Sequence, residues 1–195
     1  MRQARMTRKT TETQVSVEIC LDGTGKCKVE TGVGFFNHML EQLGRHSLID
    51  LNIQANGDLH IDDHHCVEDV GITLGDALCE ALGDKRGICR YGSCSLPMDD
   101  AWVDVALDLS GRPFLNWNID FPSEKIGNFD SDLMREFFQA LAVHGGISLH
   151  VQARSGFNSH HLAEASFKSL ARALRIAITT DSRVGEKIPS TKESL

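Results

Sequence analysis

The pattern His64-His65-x-x-Glu68 recurs as His160-His161-x-x-Glu164, 96 residues further on. One signature carried twice in a 195-residue chain constrains the fold strongly, because repeated sequence implies a repeated structural unit. The surroundings repeat as well. Leu51-Asn52-Ile53-Gln54-Ala55 matches Leu149-His150-Val151-Gln152-Ala153, and Phe35-Phe36 matches Phe137-Phe138. The chain therefore divides into residues 1–88 and 89–195, two repeats within one compact unit, the second carrying a C-terminal tail.

Hydrophobic periodicity gives each repeat the same element order. Val15 to Leu21 alternates apolar and polar residues as a half-buried strand does, and Asp22-Gly23-Thr24-Gly25 supplies a turn into Lys26 to Glu30, so a hairpin is expected there. Phe35, Phe36, Met39, Leu40 and Leu43 fall at helical spacing, which places His38 on a helix. Leu48 to Ala55 reads as a strand, and Val67, Val70, Leu74, Ala77, Leu78 and Leu82 mark a long helix. In the second repeat, strands are expected near Gly92 to Leu96, Trp102 to Leu109 and Phe114 to Ile119, then a helix through Phe137, Phe138 and Leu141. A strand from Ile147 to Ala153 and a helix carrying Phe167, Leu170, Leu174 and Ile178 complete it. Each half is thus strands, helix, strand, helix, an α+β arrangement.

A net charge of −7 disfavours a partner recognised through its phosphate backbone, since nucleic-acid affinity rests on clustered Lys and Arg. The basic stretch Met1 to Lys9 is followed by no apolar run of signal-peptide or membrane-spanning length, so no membrane partner is expected. Six cysteines without a C-x-x-C pair, in a chain too large to need staples, read as reduced thiols in the cytoplasm.

The doubled signature reads as metal-ligating. Successive helical residues are rotated by roughly 100°, so His64 and His65 should serve different ions. Glu68 is four residues from His64 and three from His65, and either spacing brings the side chains together; His64 with Glu68 and His160 with Glu164 is the preferred pairing. His38 and His150 are placed to complete the set. The ligand list is then His38, His64, His65, Glu68, His150, His160, His161 and Glu164, four for each of two divalent ions. Nitrogen and carboxylate donors without thiolate suit Mn, Fe, Co or Zn, and four protein ligands leave positions open for substrate. His46, His60 and His144 keep the ordinary reading of surface or hydrogen-bonded histidines.

Taken together, these residues resemble the imidazoleglycerol-phosphate dehydratase family. The resemblance runs through Thr31-Gly32-Val33-Gly34-Phe35-Phe36-Asn37-His38-Met39-Leu40, Gly57 to Asp69, Arg90-Tyr91-Gly92, Pro97-Met98-Asp99 and Asp108-Leu109-Ser110-Gly111-Arg112-Pro113. It continues in Asn158-Ser159-His160-His161 and Pro189-Ser190-Thr191-Lys192. Asn37, Cys66 and Glu193 depart from the family's usual Asp, Thr and Gly. The resemblance implies a duplicated two-layer α/β sandwich, each half a mostly antiparallel sheet covered by two helices, related to the second domain of ribosomal protein S5. It also implies manganese as the metal, and a homo-oligomer of about 24 subunits with active sites between them.

The implied reaction dehydrates D-erythro-imidazoleglycerol phosphate to imidazole acetol phosphate in histidine biosynthesis. The departing proton is not next to a carbonyl, so two ions on the ring nitrogens would stabilise an imidazolate that expels the hydroxyl, leaving a diazafulvene-like intermediate. By family position, Glu12 is the candidate acid/base and substrate contact, beside His64, Glu68, His160 and Glu164 in the catalytic set. Arg90, Arg112, Ser190 and Lys192 stand at the positions for the phosphate. A dinuclear metallohydrolase would use the same metals but release inorganic phosphate, and a metal-storage protein would leave Arg90, Arg112 and the tail without purpose.

Overall fold

The alternating and helical runs condense into two four-stranded sheets, a two-stranded ribbon and four helices in the computed structural model, which describes residues 1–192. Glu193 lies outside the described residues. The first half contains β1 (Gln3–Lys9), β2 (Thr13–Cys20), β3 (Cys27–Glu30), α1 (Gly34–Ser47), β4 (Asp50–Gly57) and α2 (His64–Leu82). The second contains β5 (Tyr91–Met98), β6 (Ala101–Asp108), β7 (Phe114–Asn118), a short ribbon β8 (Lys125–Ile126) and β9 (Phe129–Asp130), α3 (Leu133–His144), β10 (Ser148–Ser155) and α4 (Ser159–Ile178). The sheet orders β1-β2-β4-β3 and β5-β6-β10-β7 are the same topology, so the duplication read in the sequence is a duplication of the fold.

Each sheet has one parallel pair. β3 and β4 run parallel, as do β7 and β10, and the other neighbours are antiparallel. The hairpin expected between β2 and β3 does not form. β4 lies between them, because β3, α1 and β4 make a crossover that must return parallel to β3 on the side next to β2. The turn chemistry at Asp22 to Gly25 serves another purpose: Asp50 Oδ1 accepts the backbone N–H groups of Thr24 and Lys26 at 2.8 Å each. A side chain on Gly23 would lie within 2.6 Å of Asp50, so this loop requires glycine for close approach.

The hairpin of the first sheet is instead β1 with β2, in the stretch read only as a basic N-terminus. β1 is an edge strand in which Arg5, Thr7 and Lys9 alternate with Ala4 and Met6, which lie against the core. Its apolar signal is weak because charged edge residues also guard against pairing with other chains.

The helices bring the halves together. α1 packs on α4 and α2 on α3, while α2 lies on β1 and β2 and α4 on β5 and β6, so the helices form an inner layer with a sheet on either side. One apolar cluster spans both halves: Val17, Ile53, Met39 and Leu78 from the first, Val103, Phe137, Phe167 and Leu170 from the second. Among the described residues, no helix is long and apolar enough to cross a membrane.

Candidate metal centre

Both His-His signatures open a helix, and in each the side chain two residues before the first histidine bonds the backbone there, although only Asn158 is the helix N-cap. Asp62 Oδ1 accepts the N–H of His64 at 2.8 Å, and Asn158 Oδ1 accepts that of His160 at 2.9 Å and of His161 at 3.3 Å. These short side chains satisfy N–H groups that have no partner within the helix. The rings of His64 and His65 stand perpendicular, at 86° with centroids 6.1 Å apart, and those of His160 and His161 do so at 86° and 6.2 Å. Adjacent imidazoles therefore face different surroundings in both halves.

His160 faces His38 and Glu164. Glu164 Oε2 lies 3.1 Å from His160 Nε2 and 3.3 Å from His38 Nε2, and the ligand atoms of all three residues are within 4.8 Å of one another. α1 thus carries its histidine to the dyad of the other half. Glu164 is 7% exposed; burial opposes its charge, but Lys168 Nζ at 2.7 Å and the two imidazoles hold its carboxyl below the ordinary glutamate range.

His65 faces a second group. Its Nδ1 lies 3.0 Å from Asp58 Oδ2 and 3.8 Å from Glu12 Oε2, and Glu12 stands exposed in the turn between β1 and β2. The bond to Asp58 raises the His65 pKa and lowers that of Asp58. His161 repeats the theme, with Nδ1 2.5 Å from Asp100 Oδ1 and Nε2 3.6 Å from Asp99 Oδ2, both from the turn between β5 and β6. A carboxylate on Nδ1 orients the ring and leaves Nε2 for another partner.

His64 and Glu68 are half-buried on α2 and, among the described residues, share no hydrogen bond of the kind that joins His160 and Glu164. His150 is exposed on β10, against Phe114 and remote in topology from the helix N-termini, on the sheet surface lined by Cys94, Asn116 and Arg154. The tertiary structure therefore does not bring it to the His38 group. His46 bonds Gln42, His144 bonds Asp76 and His60 is exposed, in keeping with the ordinary reading of all three.

The cationic residues gather elsewhere. Arg90 is 7% exposed and donates Nη1 to the carbonyl of Pro189 at 2.8 Å, which ties the tail carrying Ser190 and Lys192 to β6 through Asp108. Arg112 Nη2 lies 3.9 Å from that same Asp108, with its side chain 71% exposed. Lys192 is exposed, its backbone N–H bonded to Ser190 Oγ at 3.2 Å.

The family model of imidazoleglycerol-phosphate dehydratase matches residues 31–174, a span that holds the whole His38, His160 and Glu164 group. The chain belongs to the imidazoleglycerol-phosphate dehydratase family. Full-length relatives of that name are 67% identical in Dinoroseobacter shibae and 66% identical in Ruegeria pomeroyi, each over 100% of both chains. Imidazoleglycerol-phosphate dehydratase of Staphylococcus aureus superposes with a TM-score of 0.83 at 40% identity, over 91% of this chain and 100% of that one. The Pyrococcus furiosus enzyme does so with 0.84 at 37%, over 97% and 100%. The family makes this chain a carbon–oxygen lyase of histidine biosynthesis.

Against the family pattern, Asn37 keeps the acceptor role open to an aspartate: its Oδ1 takes the N–H of Thr31 at 2.9 Å and the Thr31 hydroxyl at 2.6 Å. Cys66 is buried, with Sγ 3.5 Å from the carbonyl of Thr31, where a threonine hydroxyl could donate equally. Sequence reasoning passed over Asp58, Asp100 and Lys168. Asp58 reads as a turn residue and Asp100 falls between two expected strands, and their imidazole partners lie 7 and 61 positions away, in spacings that carry no local signal.

Proposed function

We propose that this chain dehydrates D-erythro-imidazoleglycerol phosphate to imidazole acetol phosphate using two divalent ions, Mn2+ by family resemblance. The observation that carries this reading is the approach of His38, His160 and Glu164 from opposite halves to mutual ligand distance. Their donors are imidazole nitrogen and carboxylate oxygen, with no thiolate, a set that fits a divalent ion of intermediate softness. His38, His160 and Glu164 would hold one ion. His64 and Glu68 would supply part of another site, completed by His65, His150 or His161 from neighbouring subunits of a large homo-oligomer; an exposed His150 is available to such a neighbour.

The ions, when bound, draw electron density from the substrate's imidazole ring. Glu12 would take the carbon-bound proton, a role supported by a carboxylate that is exposed and lies 3.8 Å from His65 Nδ1. Arg90, Arg112, Ser190 and Lys192 would serve the phosphate, the exposed Arg112 and Lys192 by direct charge and the buried Arg90, whose nitrogens bond Asp108 and the Pro189 carbonyl, by holding the tail that carries Ser190 and Lys192. The enzyme works in the cytoplasm, where its six free thiols stay reduced.

Incubating manganese-loaded protein with imidazoleglycerol phosphate should yield the phosphorylated ketone, with turnover lost on chelation and regained on adding Mn2+. Release of inorganic phosphate instead would support a hydrolase and overturn this reading. Wild-type turnover in a folded, metal-loaded Glu12→Gln enzyme would remove Glu12 from the acid/base role.

A further inference from the structure

Glu12 is exposed and carries no hydrogen bond on its carboxylate among the described residues, yet the turn beneath it is bound on every side. Thr10 Oγ1 accepts the backbone N–H of Glu12 at 3.1 Å and of Thr13 at 2.9 Å, and the N–H of Thr10 reaches the carbonyl of Thr13 at 2.9 Å. Below the turn lies Asp69, only 5% exposed. Its Oδ1 accepts Arg8 Nε at 2.7 Å from the end of β1, and its Oδ2 accepts the hydroxyl of the buried Thr13 at the start of β2. A carboxylate this deeply placed is costly unless both oxygens are satisfied, and here both are spent on the two strands that flank Glu12.

We infer that Asp69 is a positioning residue for the dehydration, acting through Thr13 and Arg8 to hold Glu12 over the metal-binding face of α2. Asp69 sits four residues after His65, on the same side of the helix, so one rigid element fixes both the imidazole and the anchor of the turn. The second half shows what the arrangement is for. Ala165 stands where the repeat would put a second Asp69, and the matching turn is tied down by its own Asp100, which bonds His161 Nδ1 and the N–H groups of Phe157 and Asn158. In the second half the turn is held by its own Asp100, with the Ser155 hydroxyl on the Asp100 carbonyl. Where the acid must stay free for substrate the anchor comes from the helix instead, and among the described residues only the first half has a buried helix carboxylate bonded to both strands of the turn.

This inference rests on Glu12 being the acid/base, and the test separates the two. Asp69→Asn, Glu12→Gln and the double variant would be compared in the assembled, metal-loaded enzyme for kcat, KM and metal content. Asp69→Asn should lower kcat by about 10- to 100-fold, since a displacement of about 1 Å is enough for such a loss, with KM and metal content kept within about twofold. In the Glu12→Gln background it should have no further effect, because the two changes remove one contribution. Effects that multiply, a loss of metal, or an unchanged kcat in Asp69→Asn would overturn the proposal while leaving Glu12→Gln inactive. A fully active Glu12→Gln would instead overturn the role of Glu12, and this inference with it. If Asp69→Asn does not assemble, Thr13→Val removes only the linking hydroxyl and carries the same comparison with the same outcomes.

Discussion

Arg90 holds Asp108 through two parallel hydrogen bonds, Nε to Oδ1 at 2.7 Å and Nη2 to Oδ2 at 3.0 Å. The Arg90 side chain is 9% exposed and that of Asp108 21%, so this is a largely buried pair whose third nitrogen fastens the tail at Pro189. Removing one partner leaves the other charge buried and unpaired. Asp108→Ala should therefore cost about 3 kcal/mol in denaturant unfolding and raise KM for the phosphorylated substrate as the tail loosens. Arg90→Lys should not restore either property, because a point charge cannot span two carboxylate oxygens.

Lys192 is exposed and outside any buried network, so Lys192→Ala should leave stability within about 0.5 kcal/mol of the parent. Its effect should be on KM, measured against the phosphorylated substrate. An unchanged KM would count against phosphate contact.

Asp100 anchors the N-terminus of α4 and the ring of His161 together. The His161 hydrogen bond, then the N–H groups of Phe157 and Asn158, hold its carboxyl down at about 2. Because the folded pKa lies below the unfolded value near 3.9, its stabilisation is present above about pH 4 and is lost as pH falls toward 2. If His161 is a ligand as proposed, Asp100→Ala should lower the metal affinity of the protein by about 10- to 100-fold, read by metal titration, since a ring freed at Nδ1 loses its orientation.

Burial, then the nearby Asp63 and Asp69 charges, push the Cys66 thiol up to about 11, whereas Cys79 is exposed. The raised pKa means the stabilisation from keeping Cys66 protonated is complete below the unfolded thiol value of about 8.5 and disappears as pH rises through about 11. At pH 8 iodoacetamide should label Cys79 in the native protein and Cys66 only after unfolding, as peptide mass mapping would show.

Shared sites between subunits can be tested by mixing. His38→Ala and His150→Ala enzymes should each be inactive, and co-assembled mixtures should regain about a quarter of wild-type turnover if one site draws these residues from different chains, the fraction expected from random pairing. No recovery would place both residues in one chain's site.

How much was legible in the sequence follows from the range of each interaction. Apolar spacing at Phe35, Phe36, Met39 and Leu40 placed α1, and the repeat at His64 and His160 placed two equivalent helix N-termini, because those signals lie within a few turns of chain. The spurious hairpin at Asp22 to Gly25 shows the limit: its turn residues are genuine, but the choice of strand partner belonged to the α1 crossover and to Asp50, 25 residues after Gly25. β1 was hidden by its charged alternation.

The sequence by itself determined the duplication, the family and the donor chemistry, since residue type and local spacing are enough to specify which atoms can ligate and which segments repeat. Only the tertiary structure decided that His38 joins His160 and Glu164 across the halves, that Asp58 and Asp100 take the Nδ1 atoms, and that His150 faces outward on β10. Those outcomes depend on how α1 packs against α4 and on which face of a sheet is covered, and burial is a property of the packed molecule that no short stretch of chain contains.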